Sequence, residues 1–145
     1  MIRAVTFDLW DTLVVDDSDE EVRAALQLPS KQQARESAVL NAMEELGTPD
    51  QIREAWEHSL NWFRHCWKVE HHTPPVSERI RVTLEQLGSD ASPAEHSDLI
   101  DALERMELEI PPRMLSGAHR TLDRLSRKYA IGIVSDAIMT PGCHL

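Results

Sequence analysis

Apolar residues run almost unbroken from Ile2 to Phe7 and again from Ala130 to Val134, and each run stops on polar residues: Asp8 in the first case, Ser135 and Asp136 in the second. Short, continuous and rich in β-branched side chains, both runs read as strands buried on both faces of a parallel sheet. Between them, from about Asp16 to Ile110, the period changes. Ile52, Ala55, Trp56, Leu60, Phe63 and Trp67 recur every three or four positions, which lays one apolar stripe along a long helix, and Ile80, Leu84 and Leu87 repeat the pattern. Three start signals punctuate this zone: Ser30 with Gln33, Thr48 with Pro49 and Gln51, and Ser92 with Pro93 and Glu95. In each, the first residue and the one three places on can satisfy each other's backbone N–H, and proline suits the first helical turn. Gly47 and Gly88 read as stops, and Pro111 and Pro112 end the helical zone. Ala118, Leu122 and Leu125 then predict a short amphipathic helix before the second strand. Thr140 and Pro141 announce one more helix shortly before Leu145.

Composition narrows what such a chain can do. A length of 145 residues suits one domain or a small core with an insertion, and an apolar fraction of 41% supports a buried core. A formal charge of −10 with pI near 5.1 sets the surface against nucleic acid and anionic membrane, leaving a small-molecule enzyme or an interaction domain. No apolar run approaches the ~20 residues of a bilayer span. The start MIRAVTFDLW lacks a small-residue cleavage site, so it reads as a first strand in a cytoplasmic protein. Cys66 and Cys143 are too few and too far apart for a disulfide framework.

Ligands of open parallel sheets bind outside the carboxyl ends of the strands, so Asp8 and Ser135 share one crevice if their strands are neighbours. At this point the motifs "FDLWDTL" and "IGIVSD", separated by a helical insertion, are legible together, and in that arrangement the chain resembles the haloacid dehalogenase superfamily of hydrolases. Asp8 and Thr12 match the first and last positions of that family's Asp-x-Asp-x-Thr motif, and Ser135 matches its second-motif serine. The resemblance implies an α/β protein: an incomplete Rossmann-like core over residues 1–15 and 112–145, with an inserted helical cap over 16–111. It implies Asp8 as a nucleophile that needs no base, because carboxylates are ionised at neutral pH. Ser135, with Asp136 beside it and the loop N–H groups after Asp8, would bind a small anionic substrate, and Thr12 would orient the loop.

Trp10 departs from the pattern. Family phosphatases carry a second aspartate there as general acid, whereas an indole offers only a weakly acidic N–H. Members that act on carbon–halogen bonds carry an aromatic residue, since a halide leaves without a proton, so the first motif is more dehalogenase-like than phosphatase-like. Asp11 reads as a loop carboxylate. The family's later lysine and acidic pair are not found before Leu145, which leaves Asp8 and the backbone carbonyl of Trp10 as the protein ligands for Mg²⁺. A two-stranded core would also expose its edges, inviting self-association, and the rival reading is a truncated, non-catalytic fragment or interaction module whose helical cap alone is well folded. His58, His65, Cys66, His71 and His72 follow no ordinary zinc spacing. Trp56, Trp62 and Trp67 are expected in the cap core, with a substrate-lining role open for one of them. The run Asp16 to Glu21 is expected as a solvated hinge.

Overall fold

All three start signals close into hydrogen-bonded caps. Ser30 Oγ accepts from Gln33 N while Gln33 Oε1 accepts from Ser30 N, at 3.2 and 3.1 Å. Thr48 and Gln51 repeat the exchange at 3.4 and 2.9 Å. At Ser92 the reciprocal box opens a single 3₁₀ turn, Pro93–His96, before the next α-helix begins. The chain was analysed as a computed structural model that describes residues 2–136 and 138–141. Among these residues it holds six α-helices and one two-stranded parallel sheet, a mixed α/β architecture. No helix is long and apolar enough to cross a membrane.

Contacts divide the described residues into a sheet unit, 2–28 with 110–136, and a helical unit, 29–109 with 138–141. In the sheet unit, β1 (Ala4–Phe7) pairs in parallel with β2 (Ala130–Ile133), with Ala4 opposite Ala130 and Phe7 opposite Ile133. One further rung at each end, Ala130 N to Arg3 O at 3.0 Å and Val134 N to Phe7 O at 2.8 Å, extends the ladder. The predicted amphipathic segment is the helix Ala118–Ser126, which leads into β2 and packs on it after a left-handed Gly117 at φ 86°. Leu9, Leu13 and Ala118 are buried together, with Phe7, Trp10, Val14, Leu115 and Leu122 half-buried around them.

Two expectations fail in this unit for physical reasons. The strands are not buried on both faces: Ile2, Ile133 and Val134 are 71%, 52% and 67% exposed, although a parallel sheet is ordinarily covered by helices on both sides, and within this unit the short helix Ala118–Ser126 packs on β2. The acidic run is not a solvated hinge either. It opens the helix Ser18–Ala25, where Asp19, Glu20 and Glu21 in the first turn complement the helix dipole and Asp19 pairs in the interior with Arg23 at 3.3 Å.

The division also lies inside the expected cap boundaries. Residues 16–28 belong with the sheet, because the chain on leaving and re-entering this unit pairs with itself: Val15 N donates to Arg113 O at 2.8 Å, Leu115 N to Leu13 O at 2.9 Å, and Arg113 N to Ser18 Oγ at 2.8 Å.

With the helices numbered in chain order, α1 is Ser18–Ala25 and α6 is Ala118–Ser126, and the helical unit contains α2 (Lys31–Ala42), α3 (Pro49–Lys68), α4 (Val76–Gln86) and α5 (Ser97–Glu109). The α3 stripe buries Ile52, Ala55, Trp56 and Phe63 as the spacing predicts, with Ser59 and Cys66 beside them. Val39, Met43, Ile80, Leu84, Leu99 and Leu103 complete the core. Glu107 of α5 ties down α2 by accepting from Lys31 Nζ at 2.9 Å and from Arg35.

Gly88 stops α4 as expected: at φ 67° it allows Ser89 N to reach Leu84 O at 3.0 Å and its own N–H to reach Glu85 O at 3.0 Å. Gly47 does not stop α2, which ends earlier, at Ala42. It serves the following cap instead, since a Cβ there would lie 3.3 Å from Gln51 Oε1. Ile138–Thr140 form a bend and pack on the helical unit, with Met139 in its core and Thr140 Oγ1 donating to Glu104 O at 2.7 Å, and the helix that Thr140 and Pro141 announce lies outside the described residues. Cys143 lies outside the described residues.

Candidate functional site

The in-register pairing of Phe7 with Ile133 brings the carboxyl ends of β1 and β2 together, and with them Asp8 on one strand and Ser135 and Asp136 on the other. Asp8 is exposed at this end. Ser135 is half-buried, and its Oγ is shielded from solvent with no hydrogen-bond partner among the described residues. Buried hydroxyls are nearly always hydrogen-bonded, so this oxygen is an acceptor and donor left in reserve at the strand end. Asp136 is exposed and has a polar partner of its own.

The loop after Asp8 folds on itself. Asp11 N donates to Val14 O at 2.7 Å, Thr12 N to Leu9 O at 3.4 Å, Leu13 N to Leu9 O at 2.9 Å and Val14 N to Leu9 O at 3.1 Å. The amides of Asp11 to Val14 therefore already have acceptors, which narrows the expected anion-binding N–H groups to those of Leu9 and Trp10. Asp11, left-handed at φ 51°, accepts from Asp16 N at 3.1 Å, so its carboxylate braces the loop. Thr12 is exposed, and the loop is held by this backbone set and by Asp11. Trp10 is half-buried against Leu9 and Leu13, so its ring is part of the sheet unit's small core.

Asp8 and the Trp10 carbonyl are two oxygens where a hard cation takes six or more, and no group of three His, Cys, Asp or Glu that could hold a metal exists among the described residues. An Mg²⁺ ion held by this pair would keep several waters to complete its shell. No such group of three forms in the histidine-rich stretch of α3 among the described residues. Cys66 is buried, whereas His58, His65, His71 and His72 are exposed, and His65 faces Glu70 at 3.5 Å.

A second group of residues was overlooked in the sequence. Arg79 lies on the apolar face of α4 between Val76, Ile80 and Thr83 and is 1% exposed beside a cavity of the helical unit. A cation three residues after one core position and one before the next is the signal that marks it. Compared with known proteins, the chain matches no family model and no curated sequence.

Proposed function

We propose that the chain is an aspartate-nucleophile hydrolase of small anionic substrates, with a Rossmann-like core in the sheet unit and the helical unit as its inserted cap. The observation that carries this reading is the meeting of Asp8 and Ser135 at the carboxyl ends of two adjacent parallel strands, with the Ser135 hydroxyl lacking a partner among the described residues. Asp8 attacks the electrophilic carbon of a 2-haloacid, a C–O bond forms as the carbon–halogen bond breaks, and the halide leaves with the bonding pair. Water then attacks the carboxyl carbon of the resulting ester, regenerates Asp8 and releases the 2-hydroxy acid and a proton. Ser135 and the N–H groups of Leu9 and Trp10 hold the substrate carboxylate. The indole at Trp10 favours this leaving group over a phosphate ester, because nothing at that position can protonate an alkoxide.

The test is a turnover screen of 2-haloacids and phosphate esters, with and without Mg²⁺, followed by single turnover in ¹⁸O-water. The expected result is halide release, ¹⁸O in the peptide containing Asp8, and loss of at least ~10³-fold in rate for Asp8→Asn with an unchanged circular dichroism spectrum. Halide release that survives Asp8→Asn would remove the nucleophile assignment. One observation favours a second reading, a non-catalytic module that self-associates: the exposed apolar residues Ile2, Ile133 and Val134 at the sheet. A chain that turns over none of these substrates and sediments as a dimer would establish that reading instead.

A further inference from the structure

The helical unit contains a cavity of about 240 Å³ lined by Trp56, Leu60, Phe63 and Trp67 of α3 together with three arginines, Arg35 of α2, Arg64 of α3 and Arg79 of α4. Arg79 is the unusual member. It is 1% exposed, and no carboxylate pairs with it among the described residues. Its guanidinium lies 3.5 Å from the centroid of Phe63 and donates to Met139 Sδ at 2.9 Å and to the carbonyl of Ile138. Neither acceptor is an anion. The Nε atoms of both Arg79 and Arg35 are buried with no acceptor among the described residues. Burial, and after it the charge of Arg35, pulls the Arg79 pKa down to about 9, as expected of a cation missing its counter-ion. Buried charges are ordinarily paired, and a guanidinium is shaped to take a carboxylate through its fork.

We propose that this cavity binds a small aromatic carboxylate, its ring among Trp56, Leu60, Phe63 and Trp67 and its carboxylate serving as the counter-ion of the Arg79 guanidinium. The size agrees: an apolar cavity of about 150 Å³ takes up benzene, so the volume here admits a ring with a carboxylate attached. The charge agrees as well. Arg35 already shares Glu107, and Arg64 is exposed to water and donates to Asn61, so Arg79 is the buried cation left to neutralise, which a monoanion does. The site lies within the helical unit and does not depend on the hydrolase reading, and its test uses no turnover.

The experiment is a titration of the full chain with benzoate, benzamide and inorganic phosphate, followed by calorimetry and by the indole N–H resonances of Trp56 and Trp67. Benzoate should saturate and move both resonances, benzamide should bind at least tenfold more weakly, and phosphate should not compete. Arg79→Met should weaken benzoate at least tenfold while the melting temperature holds or rises, since an arginine serving only structure would lower it when removed. Leu60→Trp, which fills the cavity from its wall, should abolish binding in a folded chain and decides the matter if Arg79→Met does not fold. Absence of saturable benzoate binding, equal affinity for benzamide, competition by phosphate, or affinity unchanged in Leu60→Trp would each overturn the assignment.

Discussion

Replacing Ile133 with threonine asks how well β2 is covered. The substitution keeps the β-branch, so strand preference changes little and the difference reports apolar burial. Ile133 is 52% exposed. Full burial of such a side chain is worth about 1.5–3 kcal/mol, so one that is half in water has roughly 0.7–1.5 kcal/mol at stake, and the methyl retained by threonine keeps part of that. Ile133→Thr should therefore cost about 1 kcal/mol or less. Leu103, 0% exposed in the helical core, provides the internal standard. Leu103→Ala removes buried volume as well as contact and should cost about 3–5 kcal/mol. Urea unfolding followed by circular dichroism, run at two protein concentrations with amide exchange of β1 and β2, separates the outcomes. A loss above ~3 kcal/mol for Ile133→Thr, independent of concentration, would refute the exposed sheet, because a half-exposed isoleucine cannot supply it. A loss that grows with concentration would instead point to pairing between copies.

Gln27 ends α1 in the left-handed region at φ 58°, so Gln27→Gly should stabilise by about 0.5–1 kcal/mol, whereas Gly88→Ala at φ 67°, where no atom obstructs a Cβ, should cost about 1 kcal/mol from backbone strain alone; thermal melts check both. The backbone N–H of Ser92, and then its hydroxyl, hold the Glu95 carboxyl below the usual range. Their contribution is therefore present above the unfolded pKa and fades as pH falls through the folded value. An NMR titration should give a midpoint below ~4.3 that rises in Ser92→Ala, and a midpoint unchanged by the substitution would deny the bond. Burial, with Glu70 adding to it, pushes the Cys66 thiol up, so iodoacetamide at pH 8 should label Cys66 slowly in the native chain and fast in urea; equal rates would mean that α3 opens readily.

Local chemistry made the helices legible. Ser30, Thr48 and Ser92 cap because their partners lie three residues away, and the α3 stripe buries because 3.6-residue periodicity is a property of the segment itself. The candidate site was legible as far as it depends on strand ends: Asp8 and Ser135 are adjacent because both follow apolar runs that pair in register. What escaped depends on distant contacts. The ion pair of Asp19 with Arg23 could have been read from its four-residue spacing, but its burial could not, and neither could the ribbon between residues 13–15 and 113–115 that moves α1 to the sheet unit. An anonymous apolar run likewise does not say how many helices will cover it, which is why Ile133 and Val134 read as buried and are not. Arg79 was missed because a cation is ordinarily assigned to a solvated face.

The pairing of Ala4 with Ala130 also sets an order in time. At about 5–20 residues per second, β1 leaves the ribosome roughly 6–25 s before its partner strand exists. During that interval the neighbouring contacts of α2, α3 and α4 can form, since they join segments close in sequence, while Val5 and Phe7 wait with both strand edges open. The ribbon that closes at Val15 and Arg113 brings the returning chain beside its point of departure, so β2 is delivered to β1 by a contact already made rather than by a search across the whole insertion. β1 thus waits through the whole insertion for β2, and the nascent chain, more than the folded one, is where its apolar edge can find the wrong partner.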